Sequence, residues 1–270
     1  INTITITGYT GPGGDVAIPS SIAGKTVTRI GDYAFESCSS LTKVTIPDSV
    51  VDIGNYAFDW CNSLTNVAIG SGVARIEEWA YEYCKSLSRV TIPGNVANIA
   101  HGAFYSCSSL ANVTLGNGVT NIGGYAFSSC SSLPNIAIPA SVVNIGTGAF
   151  FQCSSLAEIT VNAGNSVYSS TNGVLFDRNK TILLLCPEGK TGSYSIPSGV
   201  DRVGDSAFEN CRNLTRVAIP DSVVDVGDWA FNCCFGLTNV VIGAGVTNIG
   251  QGVFSSCYRL IEIAVNAGNS

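Results

Sequence analysis

Charge is scarce in this chain. Asp, Glu, Lys and Arg make up 12 % of its 270 residues, and the formal net charge is −6. The 13 basic residues are spread singly, so there is no electrostatic footprint for nucleic acid and no polybasic segment for anionic lipid. Histidine is scarcer still. His101 stands alone, which excludes a multi-histidine metal site; placed in a turn before Gly102, it reads as a solvated loop residue. No C-x-x-C occurs, so zinc and thioredoxin-type readings have nothing to rest on. No apolar run approaches the roughly 20 residues of a membrane span, so direct membrane insertion is not expected. The chain opens at Ile1 without a signal peptide, and targeting information is expected to have been removed or to lie outside this segment.

Catalytic motifs are missing in the same way. Gly189-Lys190-Thr191 resembles the end of a phosphate-binding loop, but Leu184 stands where its first glycine belongs. Gly24-Lys25-Thr26 fails likewise, with Pro19 at that place. No Ser or Cys sits in a nucleophile motif. Asp48 and Asp52 fall at surface positions and read as solvated. A carbohydrate-active coil would need acids clustered along a groove, and the strand positions offer only Glu158 and Glu262. The expectation is therefore no enzyme, no catalytic residue, no cofactor and no bound metal.

What is present is a repeat. Cys38, Cys61, Cys84, Cys107, Cys130 and Cys153 recur every 23 residues, and Cys211, Cys234 and Cys257 resume that spacing. The unit reads L-x-x-V-x-I-P/G-x-x-V-x-x-I-G-x-x-A-F-x-x-C-x-x-L. A fixed period of this length signals a solenoid. Val44 and Ile46 alternate with Lys43 and Thr45, the pattern of a half-buried strand. Pro47, or Gly70, Gly116 and Gly243 in its place, ends that strand. Val50 and Ile53 point inward on the return. Ala57, Phe58, Cys61 and Leu64 then follow at helical spacing, so residues 55–61 are predicted to form a short helix of about two turns. The predicted fold is an α/β solenoid with a parallel sheet on one face and short helical turns on the other, one body over residues 1–270.

Nine of the 11 cysteines occupy one inward column. Cysteine there is most simply a small buried hydrophobe, although coils about 5 Å apart do not exclude a bridge by distance. Buried thiols are expected to be reduced and slow to react. Cys233 points off the column and is expected to be partly exposed, with Cys186 outside the repeat.

Three departures from the period stand out. Residues 1–29 form an irregular first coil, because Ile18-Pro19 precedes Ile46-Pro47 by 28 residues. Residues 162–195 contain a 12-residue insertion, since Val161 and Ile196 are 35 apart. Two apolar runs, 174–176 and 181–185, flank a polar turn there and predict a β-hairpin, either functional or merely packed on the coil edge. Finally, VNAGNS at 161–166 recurs at 265–270. The first copy leads into the insertion, so the chain is expected to be cut from a longer array.

These residues resemble a known family. IP-x-S-V-x-x-I-G-x-x-A-F-x-x-C-x-S-L, with the inserted NGVLFDRNKTILLLCPEGKTGSYSIP, is similar to the BspA-like, or Treponema pallidum type, bacterial leucine-rich repeats across residues 15–270. The resemblance implies a right-handed leucine-rich-repeat coil, commonly in secreted or surface-anchored proteins that bind host, microbial or matrix partners. It implies no catalytic residues. The expected role is a non-enzymatic binding or adhesion segment at the cell surface or outside the cell, recognising protein or glycan; the alternative is a structural array that self-associates through open solenoid ends.

Two surfaces are candidates for that contact. One is the polar strand column Lys43, Asn66, Arg89, Asn112, Asn135 and Glu158. The other lies opposite, where helical geometry turns Tyr33, Tyr56, Trp60, Trp79, Tyr83, Tyr105, Tyr125 and Phe151 outward. Where the first outward position becomes glycine, at Gly102 and Gly148, an aromatic follows three residues later. Contiguous exposed rings mark a partner, a protein or sugar rings; the alternative is that the rings stack on one another and shield the turns.

Overall fold

The alternation at Leu41–Thr45 forms a strand because Leu41 and Val44 are buried while Thr42, Lys43 and Thr45 face water. Each such strand hydrogen-bonds in parallel to its counterpart one period on, Lys43 opposite Asn66 and Arg89 opposite Asn112. In the computed structural model, which describes residues 2–266, the chain falls into two compact units, Ile1–Cys153 and Ser154–Ser270. Each is a parallel β-solenoid.

In the first unit, one sheet stacks Gly14–Ala17, Leu41–Thr45, Asn66–Ala68, Arg89–Ile92 and Asn112–Leu115. A second sheet carries the returns, from Lys25–Ile30 through Asp52–Ile53 and Arg75–Ile76 to Asn144–Ile145. Between them Val50, Ile53, Ala57, Phe58, Cys61 and Leu64 are fully buried, and later coils repeat the pattern. Phe35, Phe58, Tyr81, Phe104, Phe127 and Phe150 stack as an inner column with centroids 4.9–6.0 Å apart. Tyr9 closes it, stacked on Phe35 at 5.1 Å, so the irregular first coil covers the first rung. Its extra residues form the hairpin of Ser21–Ile22 with Lys25–Ile30, turned at Ala23 and Gly24.

The predicted helices are absent. Among the described residues there is no helix, and residues 31–38 and their repeats are chains of overlapping turns. The amides of Ala34, Glu36 and Cys38 donate to carbonyls three residues back, those of Gly31, Tyr33 and Phe35. The intervening amides of Tyr33, Phe35 and Ser37 instead reach the next coil, to Asn55, Ala57 and Asp59. An α-helix would direct every amide along its own axis to the fourth carbonyl back. Here Tyr33 and Ser37 enter the left-handed region at φ 61° and 56°, and Tyr56 and Trp60 repeat this at 55° and 57°. That reversal every four residues aims alternate amides along the stacking direction. The strain of about 1 kcal/mol per left-handed residue is offset by inter-coil hydrogen bonds. Spacing alone suggested a helix because the same residues face inward in either conformation.

Cysteine has a polar role in this turn. The Cys61 thiol donates to the Phe35 carbonyl at 3.1 Å, Cys84 to Phe58 at 3.2 Å and Cys107 to Tyr81 at 3.2 Å. Each carbonyl also takes the amide three residues on, so the thiol engages its second lone pair. All 11 cysteines are free. Burial pushes the Cys61 thiol up to about 12. Cys38 and Cys257, on the column, are half-buried like Cys233, so they join it as the accessible thiols.

Asp48 and Asp52 are more than solvated surface. The Asp48 carboxylate accepts from the Ser71 amide at 2.7 Å, and Asp52 pairs with Arg75 at 2.8 Å, each joining one coil to the next. Asn98, Asn121 and Asn144 continue that row as a side-chain amide ladder.

In the second unit, the insertion is a three-stranded antiparallel meander of Tyr168–Thr171, Val174–Asp177 and Ile182–Leu185. The hairpin expected across residues 177–180 is there, and a further strand precedes it. Asn172 and Gly173, at φ 52° and 77°, make the two-residue turn that joins the first pair. The Asp177 carboxylate takes the Ile182 amide at 2.7 Å and the Thr181 hydroxyl at 3.1 Å, fixing the second turn. Ile182–Leu185 then pairs in parallel with Arg202–Val203 and starts the unit's return sheet. Cys186 is fully buried and its carbonyl faces the Cys211 thiol at 3.5 Å. It therefore belongs with the column and is not an accessible thiol. Of the second VNAGNS, residues 267–270 lie outside the described residues.

Candidate binding face

Tyr33, Tyr56, Trp60, Trp79, Tyr83 and Tyr125 all stand at left-handed positions of the turn. Tyr33, Tyr56 and Trp79 share one repeat position, and their rings form a row: Tyr33 on Tyr56 at 5.1 Å and 2°, Tyr56 on Trp79 at 6.4 Å and 14°. Trp60 and Tyr83, four residues further round each coil, form a second row at 4.5 Å. Tyr105 meets both, edge-on to Trp79 at 5.6 Å and to Tyr83 at 5.8 Å. Tyr33 and Trp60 are 53 % and 42 % exposed, while Tyr56, Trp79, Tyr83 and Tyr105 are half-buried. The rings thus stack along the coil and still present faces and edges to water. Tyr125 lies further along, joined to the rest through His101, whose ring packs edge-on to Trp79 at 4.9 Å and to Tyr125 at 5.5 Å. His101 is accordingly a half-buried ring neighbour and not a solvated loop histidine. Phe151 has no part in these ring contacts.

The aromatic and glycine alternation has a steric cause. A Cβ on Gly102 would lie 2.2 Å from the Trp79 ring, and one on Gly148 would lie 2.7 Å from Tyr125. In the second unit Gly252 meets Trp229 at 2.4 Å. At these coils the ring of one turn lies flat over the next, which leaves no room there for a side chain, whereas Tyr33, Tyr56 and Trp79 stack ring on ring instead.

Between the two rows runs a third repeat position that the outward-ring reading recorded only where it was aromatic. It holds Glu36, Asp59 and Glu82, then Tyr105. Since Tyr105 touches the ends of both rows, the carboxylates lie in a trough walled by Tyr33–Tyr56–Trp79 on one side and Trp60–Tyr83 on the other. Asp59 is only 7 % exposed, and its Oδ1 is buried without a hydrogen-bond partner. Burial first, then the charge of Glu36, raises Asp59 from 3.8 to about 6, against the lowering effect of a hydrogen bond from the Trp60 backbone amide. Burial and the charge of Asp59 raise Glu82 from 4.5 to about 7. Burial also raises Tyr56 and Tyr83, and both feel Glu82 and Asp59. Among the described ion pairs, which involve Arg29, Arg75 and Arg202, none engages the trough carboxylates. The sequence carried a signal for them, three acids 23 residues apart beside the rings.

On the opposite face, Lys43, Asn66, Arg89 and Asn112 line up as read, flat and polar, with no aromatic among them. No three His, Cys, Asp or Glu side chains among the described residues are placed to share a metal ion.

Comparisons with known proteins agree with this architecture. The family model for the BspA type leucine rich repeat region matches residues 15–130, 81–176 and 188–270. A leucine-rich cell surface protein of Faecalibacterium prausnitzii is 29 % identical, with a TM-score of 0.70 over 98 % of this chain and 91 % of that one. A leucine-rich repeat protein of Eubacterium ventriosum is 28 % identical, with a TM-score of 0.64 over 98 % of this chain and 68 % of that one. The pneumococcal vaccine antigen PcpA shares the fold at 21 % identity, with a TM-score of 0.79 over 99 % of this chain and 76 % of that one. No curated protein matches.

Proposed function

This chain belongs to the BspA-type leucine-rich-repeat family, and from that membership we propose that it is a non-enzymatic binding segment of a bacterial cell-surface or secreted protein, recognising a protein or glycan partner. The observation that carries this reading is the pair of half-exposed ring rows on the first unit, from Tyr33 to Tyr105. Rings give large apolar contact area at small cost in side-chain entropy, and the strand face has no such anchor. A surface location is supported by the similarity to a cell surface protein of Faecalibacterium prausnitzii.

An array of glycans and surface proteins, screened with the whole chain, tests the reading. Trp60→Ser, Trp79→Ser and Tyr83→Ser together should weaken a captured ligand at least tenfold. They should leave the coil folded, because serine already stands at the same repeat positions in Ser37, Ser106, Ser129 and Ser206. Unchanged capture by that variant, with loss on altering Arg89 and Asn112, would move the site to the strand face.

A further inference from the structure

The ring rows of the first unit enclose more acid than a ring-stacking surface requires. Glu36, Asp59 and Glu82 stand on three successive coils between those rows, and no described ion pair neutralises them. Asp59 is nine-tenths buried, and although the Trp60 backbone amide hydrogen-bonds its carboxylate, its Oδ1 has no hydrogen-bond partner. A buried carboxylate oxygen without a donor is costly unless a donor arrives from outside the chain. Resting on the reading of this surface as a binding face, we infer that the trough takes guanidinium groups from an arginine-bearing segment of a partner protein.

The chemistry of the walls favours that partner. Aromatic faces attract cations, and the fold already uses them so: the Lys85 Nζ lies 5.2 Å from the Trp60 ring centroid and 5.6 Å from that of Tyr83. Guanidinium is flat, weakly hydrated and carries five donors in a fork, so it can lie against a ring while pairing with carboxylates at its edge. Ammonium, a compact and strongly hydrated charge, fits such a slot less well. Metal ions fit worse, because the three carboxylates are not arranged to share one. The raised affinity of Asp59 and Glu82 for protons reflects the same unmet demand for positive charge.

The test uses the whole chain at pH 8 and three capped peptides: tetra-arginine, tetra-lysine and tetra-glutamate. Two of the three tryptophans, Trp60 and Trp79, line the trough, so their fluorescence reports occupancy. Saturable quenching by tetra-arginine is expected, several-fold tighter than by tetra-lysine and absent with tetra-glutamate. The variant Glu36→Gln, Asp59→Asn, Glu82→Gln should lose at least tenfold in affinity. A control variant, Asp15→Asn, Asp201→Asn, Asp205→Asn, removes three exposed carboxylates elsewhere and should bind as the parent does. Equal loss in both variants would reduce the effect to net charge and overturn the inference, as would equal binding of the arginine and lysine peptides. Should the ring variant lose an array ligand that the carboxylate variant keeps, and tetra-arginine not bind, the face stands and the arginine assignment falls. Array capture that survives both variants removes the face itself.

Discussion

The first unit carries an inner aromatic column and outer rows of rings, and they differ in what the fold requires of them. The inner column, half-buried at Tyr9 and buried from Phe35 through Phe150, recurs in the second unit as Tyr194, Phe208, Phe231 and the half-buried Phe254. The outer rows are half-exposed and confined to a few coils. The second unit keeps only Trp229 at such a position and makes the same turn without a ring elsewhere: Ser206 and Asn210 adopt φ 53° and 59°, as Tyr33 and Ser37 adopt 61° and 56°. The turn therefore needs the inner ring and does not need the outer one. What the fold does not demand is the part to assign to function.

The sharpest way to break this comparison is to delete one ring from each column. Phe104→Ala empties a fully buried site and should cost about 3–5 kcal/mol in denaturant unfolding. Tyr33→Ser, at a position 53 % exposed, should cost about 1 kcal/mol or less. Equal losses would mean the outer row is structural.

A smaller effect joins the two columns to the backbone. Gly102 sits at φ 63° with the Trp79 ring over it. Gly102→Ala should cost about 2 kcal/mol, combining left-handed strain of about 1 kcal/mol with a ring that must move. In a Trp79→Ala background the second part should vanish, leaving about 1 kcal/mol. Strict additivity of the two substitutions in denaturant unfolding would show that the ring does not cover the turn.

Most of this architecture was legible in the sequence, because a strict period fixes the register once the strand is found. The inward residues Val50, Ile53, Phe58 and Cys61 and the outward set at Tyr33 and Trp60 could be read from spacing. The turn's backbone could not. A helix and a run of turns with left-handed residues four apart present the same side chains inward, and only the hydrogen bonds to the neighbouring coil distinguish them. The Tyr168–Thr171 strand was hidden for another reason: its serines and threonine lack an apolar pattern, and its pairing follows from the Asn172-Gly173 turn. The binding face was half legible. Rings announce themselves in a sequence, whereas Glu36, Asp59 and Glu82 look like any solvated acids until the turn places them between two walls.

The smallest effect concerns those acids and has a definite sign. Asp59 ionises at about 6 when folded against 3.8 ordinarily, and Glu82 at about 7 against 4.5. Between these values the folded chain holds protons that the unfolded chain has released, so the pair makes stability fall as pH rises from about 4 to 7, with no further change above. Asp59→Asn removes one step and also relieves Glu82, whose rise owes part to the Asp59 charge. The shift of Asp59 corresponds to at most about 3 kcal/mol at roughly 1.4 kcal/mol per pH unit, and water reaching the trough reduces this to about 1 kcal/mol. The variant should therefore match its parent at pH 4 and exceed it by about that amount at pH 8. Urea midpoints followed by tryptophan fluorescence, with Trp229→Phe in both chains to silence the second unit, measure the difference. A variant that is less stable than its parent at pH 8 would show that the Asp59 charge is already compensated within the fold beyond the Trp60 amide, and the outer rows would then enclose a salt-bridged strut instead of an open acidic trough.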